Sequence, residues 1–209
     1  MSDSMLNKCR DFTLSSRILT TRLAVVVPCI LVLVTGSGWE KNGFADILFE
    51  SVGLILVVLG AFGRLWASMY VSGYKNRDLV TQGPYSVVRN PLYLFSFIGA
   101  TGIAFSSGSL LIVAMIVVAF VFYYRLVVAR EEADLASNHA ASFTQYSMST
   151  PRFIPRLSLF HEPDTYLVNT KVYRRAFLDA MFFIWGYGIL QMVGKMHELN
   201  ILPTVLRIF

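Results

Sequence analysis

Two short stretches of the sequence have residue types and spacing that suit a ligand site. The first is LVTQGPYSVVRNPLY, residues 79–93. Its Gly83-Pro84 dipeptide favours a turn that ends one element and lets the backbone approach a ligand closely. Pro91 suits the first turn of a helix, because the N–H group that proline lacks would have no helical partner there. The free N–H groups of that turn, together with Arg89, suit a carboxylate or another anion.

The second stretch starts with Glu131 and Glu132, and Glu131 lies 41 residues after Asn90. It continues through Tyr146 to the segment PRFIP, residues 151–155. Carboxylates accept hydrogen bonds from hydroxyl and ammonium groups, and carboxylates and phenols can both move protons. These residue types therefore suit ligand binding and general acid–base chemistry.

The elements that must position these stretches are membrane-spanning helices. Of the 209 residues, 55% are apolar and only 15% are charged, whereas soluble domains have about 25% charged residues. The composition excludes a disordered chain and nearly every soluble enzyme class. It predicts one integral membrane domain, residues 1–209, with about five helical spans. Cys9 and Cys29 indicate neither a disulfide framework nor a metal site.

Uncharged windows place the spans. The 35 residues between Arg89 and Arg125 carry no charge, which is too long for one helix across a hydrocarbon core of ~30 Å. The SSGS sequence at 106–109 therefore predicts a hairpin of two shorter helices, the second continuing past residue 130 until the chain breaks at Pro151. The remaining predicted spans cover 23–39, about 45–70 and 180–194.

These windows predict an all-α fold, a polytopic membrane helix bundle. Its parts are the N-terminal spans in 1–70, both polar stretches and the hairpin in 71–156, and an extension with a further span in 157–209.

The basic residues predict the orientation. With the N-terminus in the cytoplasm, the cytoplasmic side receives all of the 18 Lys and Arg residues except Lys41, Lys195 and Arg207. Both polar stretches then face the cytoplasm, in a bacterial inner membrane or the endoplasmic reticulum. The net charge of +5 is spread along the ends of apolar segments, so nucleic acid is not an expected partner.

In order and spacing, the two stretches resemble the isoprenylcysteine carboxyl methyltransferase and phospholipid methyltransferase family of integral membrane enzymes. The family pattern is G-P-Y-x-x-V-R-H-P-x-Y, followed by E-E-x-x-L-x-x-x-F-G-x-x-Y-x-x-Y-x-x-x-V-P-R-F-I-P. The resemblance covers about residues 60–156 and includes Gly60, Arg64, Trp66 and Ala67. It implies S-adenosylmethionine as cofactor. It also implies methyl transfer to a lipophilic acceptor: an isoprenylcysteine carboxylate, a phospholipid amine or another lipid-like O, N or S nucleophile.

The resemblance implies cofactor contacts, to which we add Asp78, Gly83, Arg89 and Tyr146 as candidates. The implied contacts are Leu79, Val80, Tyr85, Asn90, Pro91, Tyr93 and Glu131. Arg89 and the helix start suit the carboxylate of S-adenosylmethionine, Glu131 suits its ammonium or a ribose hydroxyl, and the tyrosines suit the adenine.

The catalytic candidates are Glu131, Glu132, Arg125 and Arg130, and no metal is expected. A carboxylate or thiolate acceptor needs no strong base, whereas an amine or hydroxyl needs one, such as Glu131, Glu132 or Tyr146.

Simpler interpretations stay open for several of these residues. Tyr85 and Tyr93 also fit an interfacial aromatic belt, and Arg89 and Arg130 fit anchors on the cytoplasmic side. Arg64, inside a predicted span, fits both a functional site and a side chain that snorkels to the interface. Arg152 fits both packing and a role at the cofactor or a lipid headgroup. The histidines His139, His161 and His197 are scattered, and we do not expect them to be catalytic.

Three departures from the family pattern limit what the resemblance implies. Asn90 replaces the usual His, and Asn cannot take up a proton at neutral pH. His139-Ala140 and Phe143 replace Phe-Gly and Tyr. Val127 replaces a substrate-binding Arg four residues before Glu131, so an acceptor other than a prenylcysteine is an open alternative. The extension in 157–209 suits covering a lipid entrance or association between subunits.

Two other functions compete with methyl transfer. The first is a nicotinamide-dependent membrane reductase related to sterol reductases, although such enzymes are much larger. The second is a non-catalytic membrane scaffold that keeps the fold. The expected partners are the membrane and a lipophilic substrate from the bilayer, and the sequence does not indicate an oligomeric state.

Overall fold

The computed structural model describes residues 35–37, 43–72, 79–203 and 206–208. Helices make up most of this part of the chain, so the all-α prediction is confirmed. The elements in order are β1 (Thr35–Ser37), α1 (Phe44–Ser72), α2 (Pro84–Val87), α3 (Pro91–Ser106), α4 (Leu110–Ser149), a 3-10 turn (Leu157–Leu159), α5 (Thr170–Glu198) and β2 (Leu206–Ile208). The two short strands form one parallel pair, with Thr35 opposite Leu206.

Three helices of the described chain, α1, α4 and α5, are long and apolar enough to cross a membrane. The predicted span 45–70 coincides with α1, and 180–194 lies within α5. Helix α3 is apolar but has 16 residues, or about 24 Å at 1.5 Å per residue. Of the predicted span 23–39, only residues 35–37 are described; they form strand β1, so the prediction of a helix there is wrong, and the rest of that span lies outside the described residues. The chain is therefore an integral membrane protein.

The predicted hairpin is confirmed. Helix α3 ends at Ser106 and α4 begins at Leu110. Gly108 between them has φ of 68°, and the side chain of Ser109 caps α4 by accepting from the backbone N–H of Ile112. Helix α4 then runs to Ser149, just before Pro151 as predicted. Its backbone leaves helical geometry at His139 and Ala140, so a last segment, 141–149, points in a new direction.

Helices α1 and α3 pack closely through glycines. A Cβ added at Gly60 would lie 2.5 Å from the backbone nitrogen of Gly99, and one at Gly102 would lie 2.6 Å from the nitrogen of Val57. Small residues at such a contact let two helix backbones approach within a membrane. Helix α5 packs on both, with Phe183 against Gly99. The glycine contacts between α1 and α3 therefore bring these two helix backbones close together.

Both polar stretches lie at the same end of the bundle. Helix α1 ends, at Ser72, at the same end of the bundle at which α3 begins, at Pro91. Residues 79–90 belong to the connection between these two helices. The opposite end is marked by Phe49 of α1 stacked on Phe105 of α3 at 5.5 Å. Since α4 runs away from that opposite end, its last segment returns to the end where the first stretch lies.

Candidate functional site

The turn at Gly83 requires glycine for two reasons. Its φ of 59° is a left-handed conformation that favours glycine. A Cβ would also lie 2.5 Å from Cε1 of Tyr70. The Gly83 N–H donates to the carbonyl of His161 at 2.9 Å. The predicted turn at Gly83 is therefore present. Its hydrogen bond to His161 holds the loop that follows Leu157–Leu159 against it.

Tyr85 is buried at the end of the bundle. It packs with Ala67 and Tyr70, and Val80 packs against the same cluster. Burial raises the pKa of the Tyr85 phenol well above its ordinary value, Tyr146 and Glu131 add to the rise, and Arg64 opposes it. Tyr85 therefore stays a neutral phenol, and its ring lies among protein side chains.

Glu132 is the centre of a polar network that joins the two stretches. Its Oε2 lies 2.8 Å from Nη2 of Arg152, and its Oε1 lies 3.6 Å from Nε of Arg89. Asn90 Nδ2 donates to Glu132 Oε1 at 3.3 Å and to the carbonyl of Arg152 at 3.2 Å. Only 14% of the Glu132 side chain is exposed, so these partners shield most of its carboxylate from solvent.

Backbone hydrogen bonds tie the PRFIP segment to the first stretch. The N–H of Arg89 donates to the carbonyl of Pro151 at 2.8 Å, and the N–H of Arg156 donates to the carbonyl of Val87 at 2.9 Å. The structure thus brings Arg152, whose role the sequence left open, onto Glu132.

The other charged candidates lie outside this network. Glu131, Arg125 and Arg130 are all exposed on α4, although Glu131 is close enough to Tyr85 to affect its pKa. Asp78 lies outside the described residues.

Pro91 and Tyr93 lie where α3 begins. Pro91 is the first residue of the helix and is fully buried. Tyr93 packs edge to face on Tyr124 of α4, with ring centroids 4.7 Å apart. Tyr93 therefore contributes to packing within the hairpin.

A cleft of about 550 Å³ lies between the last segment of α4 and the loops around Leu79 and His161. It is lined by Leu79, Thr81, His139, Ser142, Gln145, Tyr146, Ser149, Thr150 and His161. The Tyr146 hydroxyl donates to the backbone carbonyl of Tyr85 at 2.7 Å, which connects the cleft wall to the first stretch. All of the lining residues except Leu79 carry a hydroxyl, amide or imidazole group, and their apolar atoms form about half of the surface of the cleft.

Sequence reasoning missed most of this lining. Ser142, Gln145, Tyr146 and Ser149 follow one another at spacings of three, one and three residues, which places them on one helical face. That spacing was a signal in the sequence, but only Tyr146 was a candidate.

The segment 160–166 closes over the end of α1 and was not predicted as part of the site. Tyr70 donates a hydrogen bond to Glu162, and its ring stacks on Tyr166 at 4.6 Å. Phe160 packs against Trp66 at 6.0 Å. The C-terminal extension thus begins by covering the aromatic cluster around Tyr70 and Tyr85.

Comparison with known proteins identifies the class. Residues 49–141 match the family model described as phospholipid methyltransferase, a range that holds most of α1, the first stretch, α3 and the part of α4 up to residue 141. The chain therefore belongs to the membrane methyltransferase family of isoprenylcysteine carboxyl and phospholipid methyltransferases, and the resemblance seen in the two motifs is confirmed.

Two curated relatives extend over most of the chain. It is 37% identical over 182 residues to the nickel-cobalt-cadmium resistance protein NccN of Alcaligenes xylosoxydans xylosoxydans, covering 86% of this chain and 84% of that protein. It is 32% identical over 195 residues to the cobalt-zinc-cadmium resistance protein CzcN of Cupriavidus metallidurans, covering 93% of this chain and 89% of that protein. No solved structure matches the chain. Within the described residues, no group of three or more His, Cys, Asp and Glu side chains could hold a metal ion.

Proposed function

We propose that this protein transfers a methyl group from S-adenosylmethionine to a lipophilic acceptor at the cytoplasmic face of a membrane. One observation carries the proposal: the two family motifs meet at one end of the bundle through Glu132, Asn90 and Arg152, beside a polar cleft. The family supplies the reaction type, and this arrangement supports a single site for it.

The groups around the cleft fit S-adenosylmethionine. A volume of about 550 Å³ lies in the usual range for small-molecule sites, about 300–1,000 Å³. Ser142, Gln145 and Thr150 offer hydrogen-bonding groups for a ribose diol and an adenine. Glu131 is exposed on α4, eight residues before the lining residue His139, and suits the ammonium group.

The two arginines near the cleft suit the cofactor carboxylate. The Nε atoms of Arg89 and Arg152 are buried and have no hydrogen-bond partner among the described residues. Among the described residues, Glu132 is the one acidic side chain paired with these two guanidinium groups, which leaves one positive charge without a counter-charge in that part of the chain. Buried donors and an uncompensated charge favour an anionic ligand at this position.

When bound, S-adenosylmethionine supplies a methyl group on a positively charged sulfur. A lone pair of the acceptor forms the bond to the methyl carbon while the carbon–sulfur bond breaks and a neutral thioether leaves. For an amine or hydroxyl acceptor, which also loses a proton, Glu131 would take that proton in place of binding the ammonium, because Glu132 is paired with Arg152 and Arg89.

The names of the relatives suggest a setting for the reaction. Two proteins that are 37% and 32% identical to this chain are named for resistance to nickel, cobalt, zinc and cadmium. We propose that methyl transfer here also serves cells exposed to such metals. A strain lacking this protein should then grow less well in cadmium or cobalt, and a strain carrying Glu131→Gln should grow like the deletion strain.

Transfer of a labelled methyl group tests the proposal directly. Purified protein in detergent is incubated with methyl-labelled S-adenosylmethionine and a total lipid extract, and the lipids are then separated and counted. Labelled lipid is expected, and Glu131→Gln should remove most of it. Binding of a reduced nicotinamide cofactor in place of S-adenosylmethionine would support a reductase, and binding of neither would support a scaffold.

A further inference from the structure

Arg64 is a charged residue turned into the bundle. It lies on α1, eight residues before the helix ends at Ser72. Its Nη1 donates a hydrogen bond to Ser96 of α3, and its Cζ lies 6.0 Å from the ring centroid of Phe183 of α5. Three helices therefore meet around the guanidinium.

The positive charge of Arg64 has no acidic partner among the described residues. The Arg64 Nε is buried and also lacks a hydrogen-bond partner in that part of the chain. A cation among apolar helices is costly unless it is paired, and inside a membrane it marks a functional site by default. Ser96 and an aromatic ring provide a dipole and a quadrupole, but neither neutralises the charge.

Arg64 is connected to the cleft through Tyr85. Its charge is close enough to affect the Tyr85 phenol. The Tyr85 carbonyl in turn accepts the hydrogen bond of Tyr146, which lines the cleft. A ligand group bound to Arg64 would thus lie among the helices, and Tyr85 would lie between that group and the proposed cofactor cleft.

The side of α5 that faces away from Phe183 is open to lipid, because neighbouring helical residues point about 100° apart. Phe182 and Trp185 are 71% and 69% exposed, and a Cβ at Gly188 would meet no atom within 4 Å. An acyl or prenyl chain on this side of α5 stays in the hydrocarbon, and its polar end has to pass around the helix to reach the guanidinium.

We propose that Arg64 binds the acidic group, carboxylate or phosphate, of the lipophilic acceptor. That this ligand is the methyl acceptor rests on the proposed function, whereas its binding to Arg64 does not. If the bound carboxylate is the nucleophile, its oxygen bonds to the methyl carbon as the carbon–sulfur bond breaks, and no proton is released. The ester is neutral and loses its attraction to Arg64, which favours product release. If the bound group is a phosphate, it positions another nucleophile of the same lipid.

Tryptophan quenching by brominated lipids tests the binding without any cofactor. Trp66 lies two residues from Arg64, and Trp185 lies two residues from Phe183. The probes are dibromostearate, dibromostearyl phosphate and, as the uncharged match, dibromostearamide, each added to the full chain in dodecyl maltoside micelles. The variants are Arg64→Gln, Arg64→Lys and a control, Arg175→Gln, which removes an exposed positive charge of α5.

The wild type should bind at least one acidic probe about tenfold more tightly than the amide, as expected for a hydrogen-bonded charge pair. The acidic probe that binds better identifies the acceptor group. Arg64→Gln should abolish the preference, Arg64→Lys should keep part of it and Arg175→Gln should keep all of it. Equal binding of acid and amide by the wild type overturns the proposal, even if Arg64→Gln fails to fold. A preference that persists in folded Arg64→Gln also overturns it. Because no cofactor is present, these results do not depend on whether methyl transfer occurs.

Discussion

Asn90 donates one hydrogen bond to Glu132 at 3.3 Å and another to the carbonyl of Arg152 at 3.2 Å, so one buried side chain joins both motifs. The family pattern has His at this position, and Asn cannot act as a base there. Its two amide hydrogens are both used within the protein. This arrangement gives Asn90 a role in holding the second motif on the first.

Replacing Asn90 should therefore weaken the fold. Asn90→Leu removes both hydrogen bonds and leaves the buried Glu132 with fewer donors, which should cost about 2 kcal/mol of unfolding free energy. Asn138→Leu, at an exposed position of α4, is the matched control and should be neutral. Denaturant titration of the purified protein in detergent measures both changes, and equal stability of the two variants would refute the joining role.

The adjacent carboxylates Glu131 and Glu132 should have opposite effects when neutralised. Glu132→Gln leaves Arg89 and Arg152 without their counter-charge and should destabilise the protein by about 2 kcal/mol, at the low end for a partly buried pair. Glu131→Gln should leave stability nearly unchanged, because Glu131 is exposed, but should lose most of the affinity for S-adenosylmethionine. Denaturant titrations and cofactor titrations of both variants measure these effects. Loss of stability in Glu131→Gln together with loss of cofactor affinity alone in Glu132→Gln would contradict the assignment.

The contact between α1 and α3 predicts a third difference. Gly60→Ala places a Cβ 2.5 Å from the backbone nitrogen of Gly99, so the helices must separate, at a cost of about 1–3 kcal/mol. Gly188→Ala on α5 meets no atom within 4 Å and should be neutral or slightly stabilising. Unfolding of both variants in the same detergent checks this, and a Gly60→Ala protein as stable as Gly188→Ala would mean that the glycine contact is not tight.

Tyr85 should make the protein sensitive to alkaline pH. Burial raises its folded-state pKa above the ordinary value, which is about 10 for the unfolded chain. Its contribution to stability is therefore fully present below about pH 10 and is lost as pH rises towards the folded-state pKa. The stability difference between wild type and Tyr85→Phe should be constant from about pH 7 to 9 and fall above about pH 10. A difference that stays constant up to about pH 11 would place Tyr85 in contact with water.

The path of the chain could be predicted from its sequence, because charge and glycine patterns determine it locally. The uncharged window after Arg89 and the SSGS turn predict the hairpin, and Pro151 predicts where α4 ends. Residues 23–34 lie outside the described residues, so a span there stays a prediction, whereas residues 35–37 form a strand and the helix predicted there is wrong.

The distribution of roles within the site could not be predicted. Neighbouring helical residues point about 100° apart, so which of Glu131 and Glu132 faces Asn90 depends on how α4 packs on α3. The break at His139 and Ala140, which turns the last segment of α4 towards the cleft, falls where the family pattern has glycine at the position of Ala140. That position was a usable signal for the break. The contacts of segment 160–166 depend on tertiary packing, and no pattern in the sequence indicates them.

Binding of S-adenosylmethionine to three matched proteins tests the central claim most directly. Ser142→Trp places a large ring in the cleft that Ser142 lines, whereas Met148→Trp changes an 84% exposed side chain of the same helical segment. The wild type and Met148→Trp should bind labelled S-adenosylmethionine within about twofold of each other, and Ser142→Trp should bind it at least about tenfold more weakly. Absence of binding to the wild type, or equal binding by Ser142→Trp, would contradict a cofactor site where the two motifs meet.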